Sequence, residues 1–164
     1  MLNTSSLSNI FWLNKTKNKE NIVLSEGSVR SLEMEISKNN LNGFLKISKN
    51  SNLSKLTIIS SVFSFLLNEY FDDFQFVIRL GASGLVSLEN EILLDVADKK
   101  EITFKDSLKD FANGIKEAVI HSNYDTAEFD LSKYSNFSIQ YGLNPESVKD
   151  NLSLFIMNLR KILF

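Results

Sequence analysis

His121 is the first residue to question for chemistry, because imidazole is the side chain that ordinarily titrates closest to neutrality. It is the chain's one histidine, so a His–His metal pair, a His-x-x-x-His helix or any site needing two imidazoles is excluded. It sits at the end of a stretch with helical periodicity, where the negative end of the helix dipole favours imidazolium. A capping or packing role is therefore the first expectation for it, and catalysis the second. Gly81-Ala82-Ser83-Gly84 has the glycines of a phosphate loop but neither the Lys-Ser/Thr ending nor a clear following helix, so it reads as a turn. The carboxylates Asp72-Asp73, Glu89/Glu91 and Asp125/Glu128/Asp130 are spread over turns and read as solvated faces, without EF-hand spacing. With no cysteine there is no thiolate chemistry and no disulfide framework, which fits a reducing compartment. A formal net charge of −2, and lysines that do not interleave with aromatics, argue against a nucleic-acid surface. On residue types alone the chain is catalytically bare, with no cofactor or metal expected.

The elements that would carry these residues are organised around 53–70. Apolar residues there cover far more than one helical stripe, which predicts a helix buried on most sides, capped by Ser51 or Asn52. Its interior polar positions are mostly serines, small enough to let another element come close. The run is too interrupted by Ser, Thr, Lys and Asn to span a bilayer, and no signal peptide precedes it, so the cytoplasm is the expected location. At 164 residues the chain is read as one domain, with 1–9 loosely held.

Ile10-Phe11-Trp12-Leu13 is a short apolar cluster able to begin a helix or dock a terminal turn, and 14–21 reads as exposed. A brief edge strand is expected at 22–24, and the alternation of Leu32, Met34 and Ile36 predicts a half-buried strand over 30–37. A weak helix follows over about 38–49, with Leu41, Phe44, Leu45 and Ile47 as its inward positions. Strands are expected at 74–80, ending at the glycines, and at 92–96, with a turn over 98–101. Residues 104–121 carry Phe104, Leu108, Phe111, Ile115 and Val119 at helical spacing, with Thr103 or Asp106 at the start. After an acidic connector, 137–141 alternates as a strand. Asn144-Pro145-Glu146 then reads as the start of a last helix carrying Val148, Leu152, Phe155, Leu159 and Ile162. Strands alternating with helices predict an α/β fold, a layered sandwich with a mixed sheet.

The order of these pieces resembles the C-terminal half of a nonribosomal peptide synthetase condensation domain, a family with a chloramphenicol-acetyltransferase-like fold of two similar lobes. Phe11-Trp12-Leu13 resembles the Tyr-Trp helix start that opens that half. Thr103-Phe104-Lys105-Asp106-Ser107-Leu108, leading to Ala118-Val119-Ile120-His121, resembles the family's Thr-Phe-x-x-x-Leu helix and its His-centred ending. The family's His-Gln-Asp-x-Pro-Phe-Glu is matched in degraded form by 121–129. Phe137–Tyr141, Asn144-Pro145-Glu146 and 148–163 resemble the closing strand, turn and helix. The likeness runs over nearly the whole chain, carried by order and pattern more than by identities.

The resemblance implies one lobe of a two-lobed fold. The family's His-His-x-x-x-Asp-Gly motif belongs to the other half, and the stretches that join the lobes are short here. The expectation is a truncated, naturally half-size condensation-like domain that is not an enzyme. It would act as a structural or interaction module beside an adenylation domain, or, as the alternative, as a docking domain for a carrier protein or subunit, with self-association also open. A small unrelated α/β enzyme is the least favoured reading. Aromatics too numerous for water suggest Phe11, Trp12, Tyr124, Phe129 and Tyr134 as the partner-binding set.

Overall fold

The computed structural model describes residues 4–19, 35–70, 76–82, 90–96, 103–128, 130–135, 137–141 and 152–156. In chain order these form α1 (Thr4–Thr16), α2 (Lys38–Ile47), α3 (Asn52–Tyr70), β1 (Phe76–Ala82), β2 (Ile92–Val96), α4 (Phe104–Ile120), a short 3-10 turn at Leu131–Tyr134, β3 (Phe137–Tyr141) and β4 (Leu152–Ile156). The strands make one four-stranded mixed sheet in the order β2-β1-β3-β4. β1 pairs antiparallel with β2 and parallel with β3, and β3 pairs parallel with β4. The α/β layered sandwich with a mixed sheet is thus the fold observed.

Register sorts the two faces of the sheet, because residues directly opposite share a face and alternate residues do not. Ile78 and Leu80 lie opposite Leu94 and Ile92 on one side and Phe137 and Ile139 on the other. All six are buried, and α4 packs on this apolar face through β2. The opposite face carries Arg79 and Gly81 beside Leu93, Ser138 and Gln140.

α4 begins where Thr103 accepts the amide of Asp106 on its hydroxyl, with the Asp106 carboxylate on the positive end of the dipole. Its buried line is Ser107, Phe111, Ile115 and Ala118. The face predicted through Phe104 and Leu108 is rotated, leaving Phe104 exposed and Leu108 half-buried.

α3 packs against α4 and departs from expectation in the same way. Its buried line is Leu56, Ser60, Phe63, Ser64 and Leu67, and Ser61 is buried beside it. Small side chains let the two backbones approach. Three hydroxyls are satisfied by the helix itself, since Thr57 donates to Leu53 O, Ser61 to Thr57 O and Ser64 to Ser61 O, each at 2.8 Å, while Ser60 Oγ is buried with no hydrogen-bond partner among the described residues. Val62, Leu66 and Tyr70, spaced one turn apart, face outward, with Leu66 54% and Tyr70 82% exposed. The helix is therefore buried on one side, not most, and its start is capped by Ser51, whose hydroxyl accepts the Ser54 amide.

Other expectations need correction. Residues 4–9 are helical and Ser8 is buried, so the amino-terminal stretch is not loose from Thr4 onward. Thr16 is buried too, its hydroxyl donating to Trp12 O at 2.8 Å. Glu35–Ser37, the described end of the expected strand 30–37, is irregular and exposed because Ser37 caps α2. Ile47 lies outward at the end of α2. Gly81 and Ala82 continue β1 instead of breaking it. Where a helix was expected through Leu152 and Phe155, β4 is a strand in parallel register with β3. The apolar run Leu152-Ser153-Leu154-Phe155-Ile156 is short enough to satisfy either period, and pairing with the edge of β3 decides it. The expected edge strand 22–24, the turn 98–101 and the Asn144-Pro145 helix start lie outside the described residues.

Candidate functional site

His121 closes α4 as its C-cap, with its own amide bonded to Ala118 O at 3.1 Å. Its carbonyl accepts the indole N–H of Trp12 at 2.8 Å, and its ring stacks on Phe11 with centroids 4.0 Å apart and planes inclined by 16°. The one histidine thus joins α1 to the end of α4. The capping and packing role is the one the structure displays.

α1 reaches this junction with Ser8, Trp12 and Thr16, spaced one turn apart on its buried side. Trp12 is 0% exposed and meets Tyr124 edge-on at 6.1 Å. Asn9 ties the same helix to the following loop: its Nδ2 donates to Glu128 at 2.8 Å and its Oδ1 accepts the Asp125 amide at 3.1 Å. At the other end Lys15 and Lys19 reach Asp95 at 3.7 and 2.7 Å, so charged side chains guard the edge strand β2.

Tyr124 is buried, its hydroxyl donating to Glu91 O at 3.0 Å while its carbonyl accepts Asn90 Nδ2 at 2.9 Å. Burial raises its pKa far above the ordinary phenol value, the Glu91 and Asp130 carboxylates add to the rise, and Arg79 opposes it. The phenol therefore stays protonated and acts as a donor. Trp12 and Tyr124, expected to bind a partner, are instead consumed inside this chain, because an indole and a phenol with satisfied N–H and O–H groups are good core residues. Phe11 and Tyr134 pack partly buried against the same core, and Phe129 lies outside the described residues.

On the polar sheet face, Arg79 Nε stands 3.2 Å from Glu91 Oε2, and Gln140 donates to Glu91 Oε1 at 3.1 Å. Gln140 is wholly buried beside Gly81, where any Cβ would overlap its amide oxygen. This cluster escaped the sequence reading, in which Glu91 was a solvated turn residue. The alternation that puts Arg79 and Gln140 on one face was its only available signal. Among the described residues no group of three or more His, Cys, Asp or Glu is placed to hold a metal ion, and no helix is long and apolar enough to cross a membrane.

The arrangement defines a class of protein: a mixed-sheet α/β sandwich whose histidine is built into its packing. No family model matches the chain, and no curated protein matches it. In shape it is similar to a solved structure of the starter condensation domain of rhizomide synthetase, a mutant in a "product-released" conformation, with a TM-score of 0.60 at 10% sequence identity. The match covers 84% of this chain and 36% of that one, so the chain spans about a third of the length of the domain it resembles. The fold is therefore condensation-domain-like.

Proposed function

We propose that this chain is a non-catalytic, partial condensation-like domain of a nonribosomal peptide synthetase, the C-terminal lobe of that fold, working as a structural or interaction module beside an adenylation domain. One observation carries the reading: within a condensation-domain-like fold, the only histidine is committed to packing against Phe11 and Trp12. Condensation requires a base to take the proton of an amine nucleophile, and this chain offers no histidine pair to supply it. Among the described residues, one surface open to a neighbour is the apolar stripe Val62, Leu66 and Tyr70 on α3, widened by Phe65 and Phe104, whose ring centroids lie 5.6 Å apart.

An assay of the purified chain with donor and acceptor carrier proteins loaded with aminoacyl groups tests the first half of the proposal. No peptide bond should form above the rate without protein. Turnover that disappears in His121→Ala would overturn it.

A further inference from the structure

The polarity of α1 is reversed from that of an ordinary surface helix. The line it turns into the molecule, Ser8, Trp12 and Thr16, has a small hydroxyl residue at two of its three positions. Its aliphatic residues point the other way: Leu7, Ile10 and Leu13 are 49%, 49% and 58% exposed. At 3.6 residues per turn these three fall within an outward arc of about 120°, and Lys17 continues the arc one turn beyond Leu13. Single exposed leucines are ordinary, but an aligned row of aliphatics on the outer side of a helix is the pattern of a contact face. Apolar surface continues past the row onto the end of α4, where the His121 ring covers Phe11 and the neighbouring Ile120 is exposed.

The two ends of the row carry opposite charge. Beside its amino-terminal half, Asn9 fixes the loop bearing Asp125 and Glu128, accepting the Asp125 amide at 3.1 Å and donating to the Glu128 carboxylate at 2.8 Å. Both acidic residues are exposed. At the carboxyl-terminal end Lys15 and Lys19 are taken up by Asp95, whereas Lys17 is exposed and has no ion pair among the described residues. Asn9 and Lys17 are separated by about 12 Å along the axis, at ~1.5 Å of rise per residue.

This layout identifies an occupant. Leu7 and Leu13 lie three residues to either side of Ile10, so the apolar row reads the same in both directions while its charges reverse. Turned end for end about a two-fold axis at Ile10, a second copy sets Ile10 on Ile10 and Leu7 on Leu13. The same turn carries Lys17 of each copy toward the Asp125 and Glu128 loop of the other. A self-complementary patch is what a two-fold contact between identical chains requires. The carboxylates weigh against an anionic membrane as the occupant, since they would face its headgroups.

We propose that α1 is a homodimer contact, receiving α1 of a second copy of this chain in antiparallel register about Ile10. The inference is independent of the module reading, which uses the stripe on α3. A patch of this size makes a weak, reversible dimer. Sedimentation of the full chain from micromolar to millimolar concentration should show a monomer–dimer equilibrium. In a mixed-label NMR sample, intermolecular contacts should join Leu7 to Leu13 and Ile10 to Ile10. Ile10→Glu should weaken the dimer by about tenfold or more, because it places an unpaired charge in an apolar contact. Lys17→Glu and Glu128→Lys should each weaken it severalfold, and the two combined in one chain should restore it, since the reversed charges attract again. Leu66→Glu should leave the dimer intact, which separates this contact from the one on α3. Circular dichroism checks that each variant folds; should Glu128→Lys unsettle the fold through Asn9, Ile10→Glu and the intermolecular contacts decide. A monomer at millimolar concentration, a dimer unchanged by Ile10→Glu, or one removed by Leu66→Glu instead would each overturn the proposal. So would a folded double charge variant no tighter than either single one, or Ile10 resonances that move only when anionic vesicles are added.

Discussion

Trp12 shows how a residue's partners decide its meaning. Fully buried, with its N–H on the His121 carbonyl and its ring against Phe11 and Tyr124, it belongs to the core. Trp12→Ala should therefore cost about 3–5 kcal/mol of folding stability, measured by urea unfolding. A loss below about 1 kcal/mol would mean that α1 is not docked as seen. Tyr124 gives a test in pH. Its pKa is raised by burial, so the folded state favours the neutral phenol. That contribution is complete below the ordinary tyrosine value of about 10 and is lost as pH rises above it, where the unfolded chain ionises and the folded one resists. Wild type should lose stability on alkaline titration more steeply than Tyr124→Phe, in paired unfolding curves; identical slopes would place the phenol in water. At this scale the sequence was partly legible. The position of His121 at a helix end announced a cap, and the turn chemistry of Thr103 announced the start of α4. The partners of Trp12 and Tyr124 lie far away in sequence, so these two aromatics looked like surface when they belong to the core.

Elements carry the next lesson. The helix α3 was legible in extent and wrongly assigned in face, because counting apolar residues ignores what a serine can do when its own helix accepts its hydroxyl. Ser61 and Ser64 take the interior in this way, Ser60 lies beside them with its hydroxyl unpartnered, and Val62 and Leu66 are left outside. Phe63→Ala should destabilise the domain by about 2–5 kcal/mol, since it removes a buried ring and leaves a cavity. Leu66→Ala should cost under about 1 kcal/mol, its side chain being more than half exposed. Comparable losses at both positions, in thermal or urea unfolding, would rule out the observed rotation of α3. The strand β4 was illegible for a different reason. A five-residue apolar run has no period of its own, and what fixes it is a free edge on β3, a tertiary fact.

At the scale of the whole molecule, the described helices leave apolar side chains outside the core. Val62, Leu66 and Tyr70 form that kind of surface, and nearby Phe65 and Phe104 extend it. Patches of this sort on soluble proteins usually mark contact sites. If the module reading is right, the stripe packs on an adjoining adenylation domain, and its aromatic end supplies the anchor, as interface tyrosines commonly do. Leu66→Glu and Tyr70→Glu should then leave the unfolding curve of the chain within about 1 kcal/mol of wild type, because neither side chain is buried. The same changes should weaken association with the neighbouring domain by more than about 1 kcal/mol each, read by calorimetry or by sedimentation of the mixed components. Trp12→Phe serves as the control: a core change at the other end of the fold, it should leave association untouched. Sedimentation as a strict monomer at high concentration, together with a reading frame that encodes no adenylation or carrier domain on either side, would remove the module reading altogether.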